Sequence, residues 1–141
     1  LLDLERYIPY LLHQAHLAVF RTFEHRLVPS GLTLPQWRVL AALAHHKQLR
    51  VGELAQIAGQ EPPTLVRQLG VLEEQKLTRR MSSEADKRAT YVELTDAGSA
   101  LTDELLPQAL EIESRALAGF SEDEIEFLRR LLCRVRANAE G

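Results

Sequence analysis

Apolar residues recur at steps of four, three, four, four and four from Ile8 through Leu12, Ala15, Val19 and Phe23 to Leu27. This spacing predicts an amphipathic helix over about Leu4–Val28, with Pro9 tolerated in or before its first turns and Pro29-Ser30-Gly31 ending it. Thr33 and Gln36 then form a T-x-x-Q capping box with Pro35 inside the first turn, which opens a helix running to about His46. Trp37, Leu40, Ala41 and Leu43 supply its apolar side. Leu49-Arg50-Val51 reads as one short extended strand. Gly52–Ala58 reads as a short helix with Leu54, Ala55, Ile57 and Ala58 turned inward, and Gly59 is its stop.

After Gln60-Glu61, Pro62-Pro63 starts a helix to about Gln75, where missing N–H groups cost nothing. Leu65, Leu69 and Leu72 mark its buried side. The period then changes from helical to alternating, so Leu77–Met81 and Ala89–Leu94 read as two strands around a polar tip, Ser82–Arg88. Thr95 caps a long helix from Asp96 that Pro107 is expected to kink or break. Ser121 and Glu124 form a second capping box. Beyond it Ile125, Leu128, Leu132 and Val135 repeat at three, four and three, a coiled-coil-like seam. The fold class is mainly α with a small β component: a winged helix-turn-helix over residues 33–95, flanked by helical regions 1–32 and 96–141.

Composition narrows the function by exclusion. At 141 residues with one Cys, the chain is one domain's worth and has neither a disulfide framework nor an all-cysteine metal cage. No apolar run reaches the roughly 18 residues needed to span a bilayer, and Asp3, Glu5 and Arg6 interrupt the apolar start, so neither a membrane partner nor a signal peptide is read. A start at Leu1-Leu2 without Met predicts a native start further upstream, and the default address is the cytoplasm. There is no nucleophile–base pair with motif spacing, no glycine-rich phosphate loop and no carboxylate cluster in apolar surroundings, so an enzyme is not indicated.

Net charge is −3, from 17 basic and 20 acidic residues, but it is unevenly spread. Residues 1–50 carry six Lys/Arg against three Asp/Glu, and residues 96–141 carry five against ten. Between them, Lys76, Arg79, Arg80, Lys87 and Arg88 crowd around the predicted hairpin.

The element order puts this local charge to use. In a helix-turn-helix the second helix enters the major groove and its outer arc near the N-terminus meets the bases. Advancing about 100° per residue from Leu65, that arc holds Pro63, Thr64, Arg67, Gly70, Val71 and Glu74. Thr64 and Arg67 are the polar base-reading candidates, since arginine makes the bidentate contact to guanine, and Gln68 at the flank reaches a phosphate or an adenine. N–H groups at this helix start suit a phosphate as well. Gly70 costs about 1 kcal/mol relative to Ala in mid-helix, which close approach of another backbone or neutral drift would explain equally. At the hairpin tip Arg88 suits a narrow minor groove, and Asp86 suits a partner for its guanidinium.

The run Gln36-Trp37-Arg38-Val39-Leu40, then Leu54-Ala55, Pro63-Thr64-Leu65-Val66-Arg67, Leu72-Glu73-Glu74, Leu77, Arg80, the Asp86-Lys87-Arg88 wing and Leu94-Thr95 through Gly98 resembles the MarR family of bacterial regulators, particularly its SlyA-like members. The resemblance implies a homodimer whose first and last helices make the dimer interface, each subunit placing one winged helix on half of a palindromic double-stranded DNA operator. It assigns Thr64 and Arg67 to the recognition helix, Arg88 to the minor groove with Asp86 as partner, and Arg80 to the neighbourhood of a phosphate. The sequence departs from the family pattern at Lys76, where a Gly usually ends the helix, and at Gly70, where a polar residue is usual.

The resemblance further implies a small aromatic effector, bound between the dimer helices and the winged helix beside His13, His16, Trp37, Arg38 and Ala41, with no cofactor. His13 and His16 have metal-compatible spacing but no third ligand, so no metal is assigned. Cys133 is read as structural. The resulting expectation is a DNA-binding repressor. The alternative is a dimeric winged-helix adaptor that no longer binds DNA, which the acidic balance favours and the retained Arg67, Arg80, Lys87 and Arg88 oppose.

Overall fold

A computed structural model describes residues 1–141 other than Glu84, Asp86 and Lys87. Its order is α1 (Ile8–Leu27), α2 (Leu34–His46), β1 (Gln48–Arg50), α3 (Val51–Ala58), α4 (Pro62–Glu74), β2 (Thr78–Ser82), β3 (Thr90–Leu94), α5 (Asp96–Ala116) and α6 (Glu122–Glu140). Short 3-10 turns at Leu4–Arg6 and Val28–Ser30 bracket α1. The winged helix-turn-helix read from the sequence is therefore present, and the strands form one antiparallel sheet in the order β1-β3-β2.

Local chemistry sets the helix boundaries. Both capping boxes form: Gln36 N–H donates to Thr33 Oγ1 at 3.4 Å and Thr33 N–H to Gln36 Oε1 at 3.0 Å. Ser121 and Glu124 repeat the exchange at 3.0 and 3.1 Å, and these bonds hold the Glu124 carboxyl below its ordinary pKa. At its far end α4 closes around Lys76, in the left-handed region at φ 61°. There Lys76 N–H donates to the Glu73 carbonyl and Leu77 N–H to the Leu72 carbonyl. The helix end that normally selects glycine is thus made here by lysine, at a conformational cost of roughly 1 kcal/mol.

Several boundaries differ from the sequence reading. Val51 is the first residue of α3 rather than part of a strand. α1 begins at Ile8, because Asp3 caps a separate turn by accepting the Glu5 N–H. Ile57 is 48% exposed rather than inward: Leu54, Ala55 and Ala58 form the packed side of α3, and Ile57 falls beyond its edge. α5 runs unbroken through Pro107. That proline lies on the exposed side of α5, so the carbonyl one turn earlier can turn to water instead of breaking the helix.

One continuous core joins the winged helix to the flanking helices. Phe23 and Leu27 of α1 and Leu105 and Ile112 of α5 belong to the same buried cluster as Leu40, Leu43, Leu54, Leu65, Leu69, Leu72 and Val92. Phe23 meets Trp37 edge-to-face, with ring centroids 5.4 Å apart. On the surface Arg26 of α1 grips Glu111 of α5 at 2.6 Å, which holds that carboxyl below its ordinary pKa. No residue of α6 is buried.

A knot of polar contacts joins the end of α4 and the hairpin to α5. Thr95 N–H donates to the Leu77 carbonyl at 3.0 Å, and its hydroxyl donates to the Lys76 carbonyl at 2.6 Å while accepting Gly98 N–H at 3.0 Å. A Cβ on Gly98 would stand 2.0 Å from the Leu77 carbonyl oxygen. Gly98→Ala is therefore expected to lose about 2–3 kcal/mol of stability through forced displacement of backbone. Gly52→Ala, also in a helix but with nothing within 4 Å, serves as the unstrained control. Urea denaturation reads both, and equal midpoints for the two variants would refute the close-approach argument.

Candidate nucleic-acid interface

The helix-turn-helix is held at its turn by a glycine and an amide. Gly59 lies at φ 66°, its N–H donates to the Gln56 carbonyl and Gln60 N–H to the Ala55 carbonyl, the bond pair that closes a helix with a left-handed residue. Gln60 Nε2 donates to the Pro35 carbonyl at 2.9 Å, fastening the turn to the first turn of α2.

This frame fixes the orientation of α4. Leu65, Leu69 and Leu72 are fully buried, each contributing about 1.5–3 kcal/mol of burial. On the opposite side Pro63 and Arg67 are exposed, and Thr64 and Gln68 are half-buried. Val66 is 46% exposed beside Arg67. The helical count left Val66 out because it stands only about 100° from Leu65; the exposed surface is wider than the arc drawn around Arg67.

The start of α4 offers less to an anion than the sequence reading expected. Pro62 and Pro63 have no N–H, and Leu65 N–H is donated to the Glu61 carbonyl. Within the first turn this leaves the Thr64 N–H, so phosphates must be held largely by side chains elsewhere.

The wing stands beside α4. Across β2 and β3, Arg79 pairs with Glu93 and Arg80 with Val92, and beyond the strands Ser83 N–H donates to the Ala89 carbonyl. Arg80 Nε donates to Glu73 Oε1 at 2.5 Å, fastening the wing strand to the last turn of α4. Arg79 Nε meets Glu93 at the same distance within the hairpin. Arg88 is exposed at the wing. Asp86 and Lys87 lie outside the described residues.

A cleft of about 420 Å³ lies between the start of α3 and the wing, and Arg50, Arg80 and Arg88 line it. The structure thus brings Arg80 and Arg88 together, with Arg67 separately on the outer face of α4. Arg50 was missed in the sequence, where it reads as part of a strand. The available signal was its place immediately before a helix, where an acceptor side chain is usual and arginine has none. Its Nε donates to the Tyr91 hydroxyl at 3.2 Å, and its guanidinium carbon lies 5.5 Å from the Tyr91 ring centre.

A second, apolar cavity of about 300 Å³ lies between α1, α2 and α5, lined by Val19, Phe20, Phe23, Trp37, Ile112 and Glu113 among others. Of the five residues expected beside an effector, Trp37 lines it. His16 and Arg38 lie against Phe20, at 4.7 Å between ring centres and 5.3 Å from guanidinium to ring. His13 is exposed on α1, and Ala41 packs half-buried against the core. The α5 wall was missed because its lining residues are separated in sequence from α1 by the whole winged helix and from α2 by the rest of it. Among the described residues, no group of three or more His, Cys, Asp or Glu is placed to hold a metal, and no helix is long and apolar enough to cross a membrane. Cys133, read as structural, is exposed on α6 and packs into no core.

Comparison with known proteins bears on this geometry. A sequence model described as MarR family matches residues 30–89. A MarR family transcriptional regulator from Silicibacter pomeroyi is 30% identical, with a TM-score of 0.87 over 96% of this chain and 92% of its own. NadR, solved in complex with 4-hydroxyphenylacetate, is 27% identical with a TM-score of 0.84 over 92% of each chain. A mutant MarR from E. coli complexed with operator DNA is 23% identical with a TM-score of 0.80, over 91% of this chain and 92% of its own, a likeness of fold.

Gly70 lies on the outer side of α4 with nothing within 4 Å of where a Cβ would stand. Its cost is then one of helix propensity alone, and Gly70→Ala is expected to raise stability by about 1 kcal/mol. An unchanged or lowered urea midpoint would contradict this.

Proposed function

This chain belongs to the MarR family of transcriptional regulators, and from that premise we propose that it is a ligand-responsive homodimeric repressor of a palindromic operator, acting in the cytoplasm. The observation that carries the proposal is the outer face of α4. Pro63 and Arg67 stand exposed, with Thr64 and Gln68 half-buried at its edges, on a helix fixed by three fully buried leucines. In this reading α4 enters the major groove and Arg67 reads a guanine, while Arg88 enters the minor groove from the wing, with Asp86 and Lys87 beside it. Arg80 holds the wing to α4 through Glu73 and faces the backbone.

Two further features support the finer assignments. The α6 seam is left open in a single chain, with Leu132 43% and Val135 41% exposed and Phe127 exposed beside them. Residues spaced as a coiled-coil seam need a facing surface, and residues 1–32 and 96–141 of a second copy supply it. Dimerisation sets two recognition helices about 34 Å apart, one turn of DNA. The apolar cavity beside Trp37 suits a small aromatic effector, as the 4-hydroxyphenylacetate complex of NadR suggests by similarity. Such a ligand shifts operator affinity by its differential binding to two subunit arrangements. A small protein seated on a promoter most simply occludes polymerase, hence repression.

Selection from a randomised duplex library is expected to enrich a palindrome bound by a dimer. Arg67→Ala should weaken binding to it by about 1–3 kcal/mol and relax one base position in each half-site. Arg88→Ala should weaken binding most where the contacted minor groove is A·T-rich. Failure to enrich any sequence would favour the adaptor alternative. Trp37 is the single tryptophan, so its fluorescence reports on the cavity directly. Titration with 4-hydroxyphenylacetate is expected to change that emission saturably and to release the selected duplex. A change in emission without release would separate binding from regulation.

A further inference from the structure

The cleft between the start of α3 and the wing draws arginines from three separate segments: Arg50 from β1, Arg80 from β2 and Arg88 from the wing. Glu73 engages Arg80 at Nε, on the side toward α4. Arg50 is braced by Tyr91, its cross-strand partner, through both the hydroxyl and the ring face, so its guanidinium is held in place before any ligand arrives. Arginine forks match phosphate oxygens in geometry as well as charge.

We propose that Arg50 and Arg80 together seat one backbone phosphate of the DNA duplex, at the edge of the minor groove that Arg88 enters. The cleft then sets the register of the protein along the groove, while Arg67 reads sequence. Arg50 is the residue that neither the element pattern nor the wing motif identified, and in this role it acts on affinity and not on base choice. The inference rests on the DNA-binding reading above and adds to it a specific phosphate position.

The test measures anisotropy binding of the selected palindromic duplex and of a scrambled duplex of equal length, across a salt series. Arg50→Ala is expected to weaken both by a similar factor, about tenfold. It should also lower the slope of log affinity against log salt by about 0.9 for each subunit's lost phosphate contact. Arg50→Lys, which keeps the charge, should keep the slope and lose less affinity; circular dichroism checks that both variants fold. An unchanged slope in Arg50→Ala, or a loss confined to the selected duplex, would overturn the phosphate seat while leaving DNA binding intact. Wild-type protein binding neither duplex would overturn the DNA-binding reading and the seat with it. Inorganic phosphate, exchanged for chloride at constant ionic strength, is expected to compete poorly. Arg50-dependent displacement by millimolar phosphate would instead make the cleft a free-anion site and refute the proposal.

Discussion

The carbonyl of Leu77 is the point on which the arrangement turns. It lies just past the end of α4, accepts the Thr95 N–H and occupies the space a side chain at position 98 would need. Around it the Thr95 hydroxyl reaches the Lys76 carbonyl and the Gly98 N–H, and Thr102 Oγ1 donates to the Gly98 carbonyl at 2.8 Å. The end of the recognition helix, the start of β2, the end of β3 and the first turn of α5 are thereby locked within a few bonds of one another. A rotation of α5 cannot leave the recognition helix behind without breaking several of them. In the proposed dimer, that rigidity ties the subunit interface to the spacing of the two α4 helices.

The features most legible in the sequence were those written in local chemistry. Thr33 with Gln36 and Ser121 with Glu124 each announce a helix start by the atoms that form it, and both boxes appear as read. The alternation after Leu77 marked the hairpin because a strand with one buried face must alternate. Legibility ended where a residue's role depends on something distant in sequence. Arg50 makes sense only once β1 is seen paired with β3, which brings Tyr91 beneath it. The α5 wall of the apolar cavity depends on a helix returning to α1 after the entire winged helix. At Pro107, expected to kink or break α5, the helix does not break: whether a proline breaks a helix depends on what its freed carbonyl meets, and the exposed side of α5 offers water.

Charge follows the same division between local and global. A net charge of −3 argues against nucleic acid when the chain is averaged, yet the averaging hides the arrangement. The acidic excess lies in α5 and α6, whereas Arg50, Arg67, Arg80 and Arg88 are gathered on the α3–α4 and wing side. Beyond a Debye length of about 8 Å at physiological ionic strength, charges on different faces act almost independently. The relevant quantity for a polyanion is therefore the charge of the face it approaches.

Within α4, stability and the proposed recognition fall on opposite sides of one helix. Leu65, Leu69 and Leu72 hold it in the core with no exposed surface. Pro63, Val66, Arg67 and Gly70 stand on the other side, and no core contact constrains Val66 or Arg67. Substitutions on that side can change which sequence is read at little cost to folding, provided the Leu77–Gly98 knot and the Gln60–Pro35 anchor hold the helix at its angle. The arginines proposed to face phosphate obey a different rule. Arg80 and Arg50 each make a contact within the protein, to Glu73 and to Tyr91, so the residues proposed to position the duplex are themselves positioned. A base-reading side chain gains from being adjustable, and a register-setting one gains from being fixed. The structure gives Arg67 the first condition and Arg50 and Arg80 the second.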